Sequence, residues 1–168
     1  MVRYPFIPGQ SERLRRGRIS EDFACYSISK SVNRRRPVLT KSTVAQVLIN
    51  SWQHLRSVDR IKLFAFCSMP DHYHLLFCLM QGQNLAKVME DSGKYPARVI
   101  NGKLHGQGQF WEEGFYDHRC RDVEELHDQA TYIEHNPVRK QLVRSAEDWP
   151  YSSASAGCKG LLDREWWP

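Results

Sequence analysis

The chain has 168 residues, 41% hydrophobic and 26% charged, which suits one domain with extensions and excludes both wholesale disorder and two full-sized domains. No run approaches the about 20 apolar residues of a membrane span, and the basic start MVRYPFIPGQSERLRRGR lacks the apolar stretch of a secretory signal. Net charge is +5, but residues 1–36 hold nine Arg or Lys against three acids, a local +6 that leaves −1 for the rest.

In chain order, residues 1–20 read as a basic arm. Arg13, Arg15, Arg16 and Arg18 are candidate DNA contacts, because the guanidinium fork matches phosphate oxygens. A solvated basic tail is the plainer use of the same residues. Residues 22–30, DFACYSISK, alternate as a strand. A turn at 33–37 presents a second candidate cluster, Arg34, Arg35 and Arg36. Val44, Val47, Leu48, Trp52 and Leu55 then recur at helical spacing, with Thr40 or Ser42 as a cap. Residues 62–68 form a second strand, Met69-Pro70-Asp71 a tight connection, and residues 72–80 a third strand antiparallel to it. A helical pattern follows from Asn84, where Gly93 and Pro96 predict a kink, or two short helices with Pro96 opening the second. After a Gly-rich loop at 102–108, a fourth strand is expected over 115–120. Asp122 caps a last helix, with Glu125 placed as in a capping box, running to about Asn136 before Pro137 ends it.

The order β-α-β-β-α-β-α is that of an α+β protein. Its first six elements match a ferredoxin-like antiparallel sheet with two helices on one face, and the seventh is an extra helix able to cover the other face. The expected division is an arm at 1–20, a domain at 21–154 and an aromatic C-terminal tail at 155–168. Five widely spaced cysteines, with no C-x-x-C, suit a reduced cytoplasmic protein without disulfides or structural zinc.

Side chains alternate along a strand, so His72 and His74 share one face while Tyr73, Leu75, Phe77 and Leu79 take the other. Two neighbouring imidazoles suit a metal ion, although a bare H-x-H also describes two half-exposed sheet histidines. On the last helix Val123, Leu126, Ala130 and Ile133 form an apolar stripe. Tyr132 and Asn136 share a face about 100–130° from its centre. Laid over the histidine face, that helix offers a phenol and an oxygen ligand, unless Tyr132 merely snorkels at an edge. For Trp111, Phe115, Trp149 and Trp166 a core position outweighs base stacking. Trp166 and Trp167 are the best candidates for stacking or docking.

The segments MPDHYHLLF, FWEEGFYDHRCRD, YIEHNPVRKQLV and DWPYSSA, in that order, resemble the HUH-type single-tyrosine transposases, and among them the REP-associated tyrosine transposases of bacteria. The resemblance runs from about Phe23 to Ala154. It implies a metal-dependent single-strand DNA endonuclease and strand transferase that recognises REP-like hairpins. It places the nucleophile on Tyr132 and the metal ligands on His72, His74 and Asn136, with a 5′-phosphotyrosine intermediate. Nitrogen and oxygen ligands without thiolate suit Mg²⁺ or Mn²⁺, and zinc is also able to occupy such a site. The expected partner is DNA, single-stranded and hairpin, with no membrane, the chain acting as monomer or homodimer. One alternative is a hairpin-binding protein that does not cut. Another is a ferredoxin-like RNA-binding module, which would carry aromatics on the open face of its central strands.

Overall fold

Alternation along the third strand organises the molecule. The computed structural model describes residues 20–167. Its strands are β1 (Cys25–Ser31), β2 (Ile61–Ser68), β3 (His72–Leu79) and β4 (Tyr116–Arg119). Helix α1 (Ser42–Ser57) links β1 to β2, and α2 (Leu85–Lys103) links β3 to β4; α3 (Val123–Glu134) and the single turn α4 (Asn136–Arg139) follow. The sheet order is β2-β3-β1-β4 with every neighbour antiparallel, the ferredoxin-like arrangement that the order of elements predicts.

Tyr73, Leu75, Phe77 and Leu79 are buried with Val44, Leu48, Trp52 and Leu55 of α1 and Leu85, Val88, Met89 and Ile100 of α2. Leu76 and Cys78, on the other face, are buried with Leu126, Ala130 and Ile133 of α3. Each large apolar side chain removed from water in this way contributes about 1.5–3 kcal/mol. The extra helix thus covers the second face, over β2 and β3. An irregularity in β2 adds to this. Leu63 pairs with Phe77 and Ala65 with Leu76, so Phe64 is an additional residue turned toward the α3 side.

Two expectations are corrected. Helix α2 runs unbroken through Gly93 and Pro96 instead of splitting into two helices. Pro96 has no N–H for the Ser92 carbonyl. The Ser51 hydroxyl of α1 donates to that carbonyl at 3.4 Å, so the freed acceptor keeps a partner. Helix α3 stops at Glu134, short of Asn136. Pro137 cannot donate to the Ile133 carbonyl, so the ladder breaks and restarts in α4, whose first turn needs no donor there.

The described part of segment 155–168 packs against the domain. Asp163, 4% exposed, accepts from the Leu63 amide at 2.8 Å and from Arg56 Nε at 2.9 Å. The Trp167 ring lies 5.4 Å from Phe64. Just before it, the Ser68 amide donates to the Tyr151 carbonyl and the Ser153 amide to the Phe66 carbonyl, each at 2.9 Å. These bonds occupy the outer edge of β2, which would otherwise offer unpaired backbone groups.

Candidate active site on the histidine face

His72 and His74 open β3 on the α3 side of the sheet, with their Nε2 atoms 3.2 Å apart. The rings meet edge to face at 4.9 Å between centroids. Burial, and then the neighbouring His72, lower the His74 pKa to about 4, so His74 is neutral at pH 7 with a lone pair to offer. Asp71 Oδ1 lies 2.6 Å from His72 Nδ1. Tyr132 of α3 brings its ring to 6.0 Å from His74, nearly perpendicular at 82°. It is 40% exposed, off the buried stripe of Leu126, Ala130 and Ile133, as the helical spacing predicts. The Arg139 guanidinium of α4 lies 4.6 Å over the same ring. Asn136 is 4% exposed and joins the group through the helix, its amide donating to the Tyr132 carbonyl at 3.2 Å.

Two nitrogens bound about 2.1 Å from one ion at tetrahedral or octahedral angles lie about 3.0–3.4 Å apart. The 3.2 Å between the imidazoles fits that requirement. Among the described residues no three His, Cys, Asp or Glu side chains are grouped to hold a metal.

Arg13, Arg15, Arg16 and Arg18 lie outside the described residues. Arg34, Arg35 and Arg36 sit on the loop between β1 and α1. Arg34 and Arg35 are exposed and adopt left-handed backbone angles, φ 57° and 51°. Arg36 turns inward, with Nε donating to the Asn33 carbonyl at 3.3 Å and its guanidinium 5.7 Å from the Phe110 ring.

Three neighbours of the site escaped the sequence reading. Asp71 looked like part of a turn; its place immediately before the H-x-H was the available signal. Arg139 follows Tyr132 by seven residues, two helical turns, which puts the two on one face despite the break at Pro137. Tyr116 of β4 is 62% exposed. It pairs with Ser29 of β1, and Ser29 pairs with His74, so the three side chains share one row on one face. Of the aromatics weighed from sequence, Trp111 and Trp149 take the favoured inward positions, and Trp166 and Trp167, the stacking or docking candidates, are partly buried against the core on the α3 side. Trp111 is 7% exposed, the Trp149 indole donates to the Ser68 carbonyl at 2.9 Å, and Trp166 and Trp167 pack beside Phe64.

A ferredoxin-like sheet with two adjoining imidazoles on one strand and a phenol carried over them by a separate helix is the architecture of an HUH-type single-tyrosine domain. The chain belongs to the IS200-like transposase family, whose sequence model matches residues 24–136. A REP-associated tyrosine transposase of Haemophilus influenzae is 27% identical over 122 residues, 61% of this chain and 64% of that protein. The chain thus spans slightly less than two thirds of that relative's length. The Escherichia coli REP-associated tyrosine transposase is 25% identical over 137 residues, 80% of this chain and 78% of its own. Among solved structures, a REP-associated tyrosine transposase bound to a REP hairpin superposes with a TM-score of 0.70 at 22% identity, covering 86% of this chain and 82% of that one. A transposase-like protein from Deinococcus radiodurans gives 0.51 at 20% identity, covering 73% and 97%. These two likenesses bear on the fold.

Proposed function

We propose that the chain is a metal-dependent single-strand DNA endonuclease and strand transferase that recognises REP-like hairpins and cuts through a 5′-phosphotyrosine on Tyr132. A cytoplasmic location belongs to this reading. The observation that carries it is the approach of a partly exposed Tyr132 to His74 of the same chain, 6.0 Å between ring centroids. When bound, a divalent ion such as Mg²⁺ or Mn²⁺ stabilises charge on a non-bridging phosphate oxygen; His72, His74 and Asn136 would hold it.

Tyr132 Oη bonds to phosphorus as the bond from phosphorus to O3′ breaks. The phenol gives up its proton and the departing 3′ oxygen gains one. One phosphoester replaces another, so the strand can be rejoined without ATP. Arg139 against the ring helps hold the phenol in place. Arg34 and Arg35, with the arm at 13–18, contact hairpin phosphates. Helix α3 covers β2 and β3 but leaves Tyr116 exposed and Ser29 partly so on the same face. The single strand lies there, with small serines admitting the backbone and Tyr116 stacking a base.

An RNA-binding module is disfavoured, since the central strands β3 and β1 carry His72, His74, Ser27, Ser29 and Ser31 on this face instead of aromatics. Tyr73, the other phenol near the histidines, is fully buried on the opposite side, 5.1 Å from Trp52 and 5.4 Å from Trp111.

The test is a denaturing gel of a labelled hairpin oligonucleotide incubated with protein and Mn²⁺. Tyr132→Phe should reduce both the cut product and the covalent adduct to background, whereas Tyr73→Phe should retain both. An adduct that survives in Tyr132→Phe and disappears in Tyr73→Phe would overturn the assignment. Cutting without an adduct in the unaltered protein would point to water as nucleophile. Tight hairpin binding with no cutting would favour the non-cleaving alternative.

A further inference from the structure

We infer that Asp71 is a positioning residue that couples the arginine loop to the metal site: it holds His72 in the tautomer that presents a bare Nε2, and it ties that orientation to Arg35. The inference rests on the reading of His72 and His74 as metal ligands.

An ionised carboxylate only accepts hydrogen bonds. With Asp71 Oδ1 2.6 Å from His72 Nδ1, a proton must sit on Nδ1, which in the neutral ring leaves the Nε2 lone pair facing His74. Such a carboxylate fixes a ligand's ring and makes its donor nitrogen more basic. The other oxygen, Oδ2, lies 3.6 Å from Arg35 NH1. The backbone joins the same two segments. The Val32 amide donates to the Asp71 carbonyl at 2.8 Å and the Leu39 amide to the Pro70 carbonyl at 2.9 Å. The Ser68 hydroxyl donates to the Leu39 carbonyl at 3.3 Å. The loop that displays Arg34 and Arg35 is therefore tied at both ends to the turn that delivers His72. Its consecutive left-handed residues, neither of them glycine, are a conformation that needs such support.

A DNA phosphate reaching Arg35 competes with Asp71 for the guanidinium. Asp71 is then left to His72 alone, and His72 becomes the better donor. Hairpin binding and metal binding should each favour the other, by equal factors. Arg35 is exposed and Asp71 partly so, and the coupling should be about two- to fivefold.

The experiment titrates the full chain with Mn²⁺, reading free Mn²⁺ by electron paramagnetic resonance, with and without a stem-loop oligonucleotide bearing a thymine tail. The ¹⁵N shifts of the His72 ring report its tautomer without DNA or metal. Asp71→Asn should weaken Mn²⁺ binding about 10–100-fold and shift His72 away from the Nδ1–H form, with circular dichroism unchanged. Asp71→Glu, which keeps the carboxylate, should restore part of the affinity. Arg35→Ala should keep the tautomer and lose the tightening of Mn²⁺ by the stem-loop. Unaltered Mn²⁺ affinity and tautomer in Asp71→Asn would overturn the positioning role, and tightening intact in Arg35→Ala would overturn the coupling. Unaltered Mn²⁺ affinity in His72→Ala would instead bring down the metal-site reading itself.

Discussion

Tyr116 presents an aromatic ring to solvent in the same row as His74, one strand beyond Ser29. Stacking on such a ring is worth about 1–3 kcal/mol per base. Tyr116→Ala should lose about that much affinity for a poly-thymine oligonucleotide by fluorescence anisotropy, while Tyr116→Phe keeps it and binding of a tail-less hairpin stays unchanged. Loss in the Phe variant as well would assign the contact to the hydroxyl. At this scale, whatever depends on a local period was legible in the sequence. His72 and His74 share a face because strands alternate, and Tyr132 leaves the apolar stripe because helices turn about 100° per residue. The partners of those residues were not legible. Asp71 contacts His72 because the backbone turns there, and Tyr116 reaches their row only through two strand pairings.

Among the elements, α2 and α3 carry the sharpest tests. Gly93 is buried inside α2, and a methyl group there would meet the Trp111 ring at 3.6 Å, an ordinary contact. A helical glycine is less favourable than alanine by up to about 1 kcal/mol. Gly93→Ala should therefore add about 0.5–1 kcal/mol of stability, read as a higher urea midpoint; a loss would mean that Trp111 cannot yield. At the start of α3, Asp122 accepts from the Glu125 amide at 2.8 Å, as a cap should. Glu125 departs from the expected box. It accepts from the Arg121 amide at 2.6 Å and lies 2.8 Å from His118 Nε2, which joins α3 to β4. Burial disfavours the ionised Glu125, but hydrogen bonds from the Arg121 side chain and backbone and from His118 outweigh it and hold its pKa at about 2, against an ordinary 4.5. A depressed folded-state pKa stabilises the fold above the ordinary value. That contribution falls away as the pH drops from about 4.5 through about 2. In acid titrations followed by circular dichroism, Glu125→Gln should be less stable than the unaltered chain at pH 6 and approach it near pH 2. An equal gap at both pH values would show that the carboxylate's charge is not involved. The continuity of α2 could not be read in advance, since the donor that rescues the Ser92 carbonyl comes from α1.

Over the whole molecule, α3 lies on the sheet of its own chain and brings Tyr132 to its own His74. If the proposed site is drawn from one chain, as the approach of Tyr132 to His74 implies, mixing variants gives a definite result. Equal amounts of His72→Ala and Tyr132→Phe protein should show no cleavage above either alone on the denaturing gel. Restored cleavage would mean that chains exchange their tyrosine helices. The sequence by itself determined the order of elements, the ferredoxin-like layout, the core face of β3 and the residues offered for chemistry. All of these follow from periods of 2 and 3.6 and from the residues that open and close elements, which act over a few positions. Only the tertiary structure decided that α3 covers β2 and β3 while leaving Tyr116 exposed and Ser29 partly so, that segment 151–167 closes the β2 edge, and that Asp71 stands between Arg35 and His72. Those outcomes join residues 36 to about 100 positions apart. Contacts of that span depend on strand register and on which surfaces remain unburied once the helices have docked, and no local period carries that information.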